Sequence, residues 1–324
     1  LARAISFAQE VKSELAAIYE EDILCQKAEL MGLVRAIGTL HLQGGGKVGL
    51  YLRTENHAVS RKVFKLLKDV FSVKPEVIVR KRPRPGTRSG FVVRLPIGSD
   101  GALVLRDLGI IDYDNRLIYD NPPAFLLYQD NCRRAFLRGL FLGAGSVNSP
   151  EADYHLEIVV GNRQLARMIL QILEVEDLKF QLTKRREIYP VYTKEADTIS
   201  HFMGLLGAHG ALLAFEERRV LKQMRGNVNR LVNAETANLN KTIEAAMKQI
   251  EDIETIQAGL GLERLPEKLS DLAYARLQYP ELSMSELGKQ MVPALSKSTV
   301  NHRMRSLKQI AERIRSGELD KFRY

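Results

Sequence analysis

The sequence predicts an α+β chain in which a unit of helix, two strands, helix, two strands and helix occurs twice, followed by a helical linker and a small all-α domain. Three observations carry this: a helical motif that recurs at a fixed offset, short β-rich runs after each copy, and a basic C-terminal third poor in strand formers. With 324 residues, 45% of them hydrophobic, the chain is long enough for two domains with real cores.

The motif Leu30-Met-Gly-Leu-Val-Arg-Ala-Ile-Gly38 returns as Leu137-Arg-Gly-Leu-Phe-Leu-Gly-Ala-Gly145, 107 positions on. Downstream, Asn56 and Asn162 each open an amphipathic helix, and Val59, Val63, Leu66 and Leu67 are answered by Leu165, Ile169, Ile172 and Leu173, as Arg61 is by Arg167. Leu105, Leu108 and Gly109 find Met203, Leu206 and Gly207 at an offset of 98. The first copy therefore carries eight extra residues, placed in the Pro/Gly-bearing segment 80–88, which reads as a long hairpin loop. The strand runs are 48–52, 76–79 and 91–95 in the first copy and 154–160, 179–183 and 188–192 in the second. The expected organisation is an N-terminal helix (1–22), a repeat domain (23–210, copies at about 23–115 and 130–210), a helical linker (211–258) and a C-terminal domain (259–324).

Glycine in a helix interior costs about 1 kcal/mol relative to alanine, so its place in both motifs needs a reason. Gly32 and Ala36 lie four residues apart on one face, as do Gly139 and Gly143, and small residues at that spacing let two helices approach closely. The two motif helices are expected to pack on each other across a pseudo-twofold axis. Cys25 and Cys132 each precede their motif by five residues, which fits symmetry-related helix starts holding reduced, structural thiols.

These motifs, with the strand pattern after each, resemble the single-chain LAGLIDADG homing endonucleases over roughly residues 23–210. The resemblance implies two αββαββα repeats forming a saddle on DNA, with an acidic side chain for the catalytic metal at the eighth motif position. Here those positions hold Ile37 and Ala144, and the sixth positions hold Arg35 and Leu142. Metal-assisted phosphodiester hydrolysis needs carboxylate oxygens to hold Mg²⁺ and lower the pKa of the attacking water, so hydrocarbon there argues against cleavage. No catalytic residue, metal or cofactor is expected.

Residues 61–94 contain eleven Lys/Arg and two Asp/Glu. Arg80, Lys81, Arg82, Arg84 and Arg88 sit at the first hairpin, and Lys184, Arg185 and Arg186 at its counterpart; in the resembled family these hairpins flank the DNA. A solvated charge run is the alternative.

After Gly210 a long helical stretch is expected to about Gln257, with a break at Gly226-Asn227, and Gly259-Leu-Gly-Leu ends it. Pro266 opens the next helix, Ser283-Met-Ser-Glu286 is a capping-box sequence, and Ser296 or Ser298 caps a last helix after a four-residue turn. In that helix Val300, Met304, Leu307 and Ile314 follow core spacing, and 297–315 holds six Lys/Arg against one Asp/Glu. A short helix, a turn and a basic helix read as a helix-turn-helix whose last helix enters the major groove. Ser298, Thr299, Asn301, His302 and Arg305 are the candidates for base contact, and Lys297, Arg303 and Lys308 for phosphate contact. A helical hairpin used only for protein association is the alternative. The histidines show no metal-ligand spacing of the HExxH kind.

The segments Ser6-Phe-Ala-Gln-Glu-Val-Lys-Ser-Glu-Leu15, the asparagine-rich 229–249 and Val292 to Leu307 resemble the WhiA family. That resemblance implies a bacterial transcription regulator linked to cell division, chromosome segregation and, in sporulating relatives, sporulation. The expected partner is double-stranded DNA, with other transcription regulators or RNA polymerase as further candidates. The net charge of +9 agrees with a polyanionic partner. No run of about 20 apolar residues suggests a membrane span, and a cytoplasmic, nucleoid-associated protein is expected. The competing classes are an active endonuclease and a scaffold without DNA contact.

Overall fold

The computed structural model describes residues 6–43, 47–80, 90–118 and 123–317. Residues 1–223 form one compact unit and 224–324 a second. Among the described residues, no helix is long and apolar enough to cross a membrane.

The first unit begins with α1 (Phe7–Ala16), whose Phe7, Val11 and Leu15 are buried in the unit's core. The first repeat follows as α2 (Ile23–Ile37), β1 (Gly38–Gln43), β2 (Lys47–Thr54), α3 (His57–Phe71), β3 (Glu76–Arg80), β4 (Gly90–Gly98) and α4 (Ser99–Asp107). After α5 (Ala124–Tyr128) the same order returns as α6 (Asp130–Ala144), β5 (Gly145–Val147), β6 (Leu156–Val160), α7 (Arg163–Val175), β7 (Gln181–Leu182), β8 (Tyr189–Thr193) and α8 (Ala196–Leu206). Both sheets are antiparallel, ordered β1-β2-β4-β3 and β5-β6-β8-β7, so the duplication extends to strand order. Strands β1 and β5 lie outside the runs singled out in the sequence; each starts at the glycine that closes a motif helix.

The repeat has a local chemical basis at its caps. Asn56 Oδ1 accepts from the backbone N–H groups of Ala58 and Val59, and Asn162 Oδ1 accepts from those of Gln164 and Leu165, so α3 and α7 start alike. At the far end, Ile110 N donates to Leu105 O and Gly109 N to Arg106 O, while Ala208 N donates to Met203 O and Gly207 N to Gly204 O. These are matching Schellman closures of α4 and α8. Each needs a left-handed residue, and Gly109 (φ +61°) and Gly207 (φ +92°) supply it without a Cβ penalty.

Helices α2 and α6 pack on each other along their length, in parallel, with Cys25 beside Cys132 and Ala36 beside Gly143. A Cβ on Gly32 would run into the carbonyl oxygen of Phe136, and one on Gly139 into that of Glu29. Both obstacles are backbone, so neither can swing aside. Leu30, Leu33, Phe136, Leu137, Leu140 and Phe141 are fully buried around this seam, each contributing about 1.5–3 kcal/mol of apolar burial.

Helix α9 (His209–Gly259) supplies Phe215 to the first core and Ile253 and Ile256 to the second. The break expected at Gly226-Asn227 does not occur, and α9 runs through both residues. One interior glycine costs only about 1 kcal/mol, too little to end a helix of this length. In the second unit a 3-10 turn (Leu262–Arg264) leads to α10 (Glu267–Gln278), α11 (Met284–Gln290) and α12 (Lys297–Arg315) around Leu272, Leu287, Val300, Met304 and Leu307.

Candidate nucleic-acid interface

The second unit presents α12 through a chain of local bonds. Ser283 and Glu286 form the reciprocal capping box that starts α11, with Ser283 N donating to Glu286 Oε2 at 3.0 Å. The buried Arg276 donates to the carbonyls of Leu282 (2.6 Å) and Tyr279 (3.4 Å), pinning the loop that enters α11. The connection to α12 spans residues 291–296, longer than the four-residue turn expected, because α11 ends at Gln290. Leu295 N donates to Gly288 O at 2.8 Å, and a Cβ on Gly288 would strike the carbonyl of Leu295. Ser296, not Ser298, is the N-cap of α12, accepting from Thr299 N at 3.2 Å.

Burial along α12 separates the candidate contact residues by face. Val300, Met304, Leu307, Ile310 and Ala311 are buried, and Ser298, His302, Arg305, Gln309 and Arg313 are exposed at helical spacing on the opposite side. Ser298 Oγ and Thr299 Oγ1 lie 2.8 and 2.9 Å from Ser296 Oγ, within the cap. Arg303 donates to Lys268 O at 3.2 Å, and Lys308 stands 3.7 Å from Glu312. Asn301, Arg305 and Lys308 border a groove of about 570 Å³ shared with Lys248, Glu251 and Asp252 of α9. Lys297 is exposed at the start of the helix. Gln309 and Arg313 are not among the sequence candidates; extending the 298, 302, 305 register by two turns reaches both.

In the first unit, β2 alternates, turning Leu50 and Leu52 into the core and Tyr51 and Arg53 outward. Arg80 ends β3 exposed, and Arg94 on the same outer face pairs with Glu76 at 2.7 Å. Arg53, Arg80 and Phe91 line a cleft of about 650 Å³ that also takes in Gln9, Lys12 and Gly143. Lys12 is 9% exposed, and burial pushes its pKa down to about 8. Lys81, Arg82, Arg84 and Arg88 lie outside the described residues. In the second copy Lys184, Arg185 and Arg186 are exposed at the turn between β7 and β8, with Arg185 3.5 Å from Glu157. The outer faces of the two sheets thus differ: the first carries Arg53, Arg80 and the Arg94–Glu76 pair, the second Glu157 and Tyr192.

The eighth motif positions, Ile37 and Ala144, end α2 and α6 and are partly buried against the core. Arg35 donates to the carbonyls of Ile118 and Gly109, each at 2.9 Å, so its guanidinium braces the end of α4. Deeper in the seam lies a charge network that sequence reading missed. Glu29 and Lys62 are fully buried and 2.6 Å apart; Arg138 donates to both oxygens of Glu29, at 3.0 and 3.2 Å, and to Glu20 at 2.6 Å. Burial lowers the Lys62 pKa, with Glu29 opposing; burial also works against the Arg138 charge, but Glu29 and Glu20 raise its pKa overall.

Three family models match in sequence order. They are the WhiA N-terminal LAGLIDADG-like domain over residues 24–111, the WhiA LAGLIDADG-like domain over 133–225 and the WhiA C-terminal HTH domain over 228–311. The probable cell division protein WhiA of Heliobacterium modesticaldum is 44% identical over 308 residues, covering 95% of this chain and 96% of that protein. Its namesake from Alkaliphilus oremlandii is 42% identical over 318 residues, covering 97% and 99%. The crystal structure of full-length DUF199/WhiA from Thermatoga maritima aligns with a TM-score of 0.55 at 27% identity, over 96% of this chain and 99% of that one. Two LAGLIDADG-like repeats followed by an HTH domain, matched along nearly the whole length, make this chain a member of the WhiA family.

Proposed function

We propose that the chain is a non-cleaving, double-stranded-DNA-binding regulator of transcription, acting in cell division and chromosome segregation and, in sporulating hosts, in sporulation. The observation that carries this reading is the exposed, cationic outer face of α12, set after the α11 turn. A helix about 10–12 Å across fits a B-DNA major groove about 12 Å wide, and side chains in its first turns reach base edges. Ser298, His302 and Arg305 are assigned to base edges, Lys297 and Lys308 to phosphates, and Asn301 to the groove flank. Thr299 and Arg303 support the frame through the Ser296 cap and the Lys268 carbonyl. Arg53 and Arg80, with Lys81, Arg82, Arg84 and Arg88 that follow in sequence, and Lys184 to Arg186 would add phosphate contacts that position the duplex without reading it.

Hydrolysis is absent from this proposal because hydrocarbon stands at Ile37 and Ala144, where the resembled endonucleases hold metal ions. The name that both relatives carry, probable cell division protein WhiA, supports the cell-division role. DNA binding would place the chain at the nucleoid, in the cytoplasm, where other regulators or RNA polymerase are its candidate partners.

Gel-shift titration across a salt series tests the reading. Neutralising about seven phosphates, one for each cation assigned to them among the described residues, gives a slope near −6 in log K against log salt, a loss on the order of 10³–10⁴ between about 50 and about 200 mM. Failure to bind duplex DNA at low salt would favour the scaffold class instead.

A further inference from the structure

At the start of the seam the pseudo-twofold axis brings together four side chains, of which Asp22 also caps α2 by accepting from Leu24 N at 2.9 Å. Cys25 Sγ and Cys132 Sγ are 3.1 Å apart and buried. Cys25 Sγ lies 3.4 Å from Asp22 Oδ2, and Cys132 Sγ lies 3.0 Å from Gln129 Oε1. Asp22 and Gln129 are the N-cap residues of α2 and α6, so each repeat offers one sulfur and one oxygen from equivalent places. The donor atoms of Asp22, Cys25 and Cys132 all lie within 4.8 Å of one another, the one such group of three or more His, Cys, Asp or Glu among the described residues.

We propose that Cys25, Cys132 and Asp22 bind one thiophilic divalent metal ion, with zinc the best match, and that the fourth tetrahedral position opens toward Gln129. Thiolate sulfur selects zinc-like ions over Mg²⁺ or Ca²⁺, which take oxygen ligands. Zn–S bonds of about 2.3 Å in a tetrahedron set the sulfurs about 3.8 Å apart, so these need separate by only about 0.7 Å. Each thiol gives up a proton on binding, two in all. Two thiolates and a carboxylate around a dication leave one net negative charge, and the N-terminal ends of the parallel α2 and α6 converge there to offset it. Exposed Asp22 and Gln129 provide the way in from solvent. The site sits at the opposite end of the seam from Ile37 and Ala144, where an ion would staple the two repeats rather than cut DNA.

The test is Cd²⁺ and Zn²⁺ titration of the full, untagged, reduced chain. The expected result is one ion per chain, a near-ultraviolet thiolate-to-cadmium charge-transfer band, and zinc protection of both cysteines from alkylation. The band should vanish in the Cys25→Ser/Cys132→Ser double variant. Asp22→Asn, which keeps an asparagine able to cap α2, should weaken zinc binding about tenfold or more while leaving the fold intact. A chain that binds no stoichiometric ion with both thiols free overturns the proposal, as does binding unchanged in the double variant. Equally, a Cys25–Cys132 disulfide that forms in air despite zinc overturns it and makes the pair a redox device. Alkylation protection in the unaltered chain keeps the test decisive if the double variant does not fold.

Discussion

Lys12 is a cation held almost entirely out of water beside the cleft that Arg53 and Arg80 share, 6.0 Å from the ring of Phe141. Its pKa is pushed down from 10.5 to about 8 by burial. Below about pH 8 both folded and unfolded chains carry the charge, so the full cost of burying it is present. Between about 8 and 10.5 the unfolded chain binds more protons, so stability rises with pH and the cost disappears. Lys12→Met should therefore stabilise the chain at pH 7 by up to about 3 kcal/mol in urea denaturation, with the gain fading toward pH 10.5. A gain independent of pH would mean that the ammonium is not buried charged. In the seam, Glu29→Gln strips the fully buried Lys62 of its carboxylate partner and should cost about 3–5 kcal/mol, the range for breaking a buried pair. That network was not legible in the sequence, since its members lie 109 positions apart and break the repeat: Glu29 corresponds to Phe136, and Arg138 to Met31. Pairing rules that act along one helix carry no information about such contacts.

Among the elements, α2 and α6 were the most legible because their constraint is a backbone approach that only small residues satisfy. Gly139→Ala isolates it: alanine improves helix propensity by about 1 kcal/mol, yet its Cβ meets the Glu29 carbonyl and lies 3.0 Å from Leu33 N. The clash should win, leaving a net loss of about 1–3 kcal/mol by thermal or chemical denaturation; a more stable variant would show that the helices are farther apart. Short strands such as β5 and β7 were hard to read because pairing with β6 and β8, rather than their own pattern, defines them. The α11–α12 connection was misjudged for a similar reason, since Leu295 bonding back to Gly288 lets the chain leave α11 early. For α12, Arg305→Ala should level the preference among DNA sites by about 1–3 kcal/mol, whereas Arg53→Ala with Arg80→Ala should weaken all duplexes about equally and reduce the salt slope. Unchanged relative affinities in the Arg305 variant would place recognition on another face.

The whole molecule carries two LAGLIDADG-like repeats and an HTH domain, and its duplication and C-terminal helices follow from periodicity, caps and small-residue spacing visible in the sequence. What periodicity could not supply is which exposed cations share a surface, because sheet pleat and helix register set that after folding. The account's central claim is that this architecture holds DNA without hydrolysing it. Supercoiled plasmid incubated with the full chain and Mg²⁺, and followed on one gel before and after deproteinisation, tests both halves together. The account predicts retarded plasmid that is still supercoiled once protein is removed. Nicked or linear plasmid, abolished by a chelator, would contradict it.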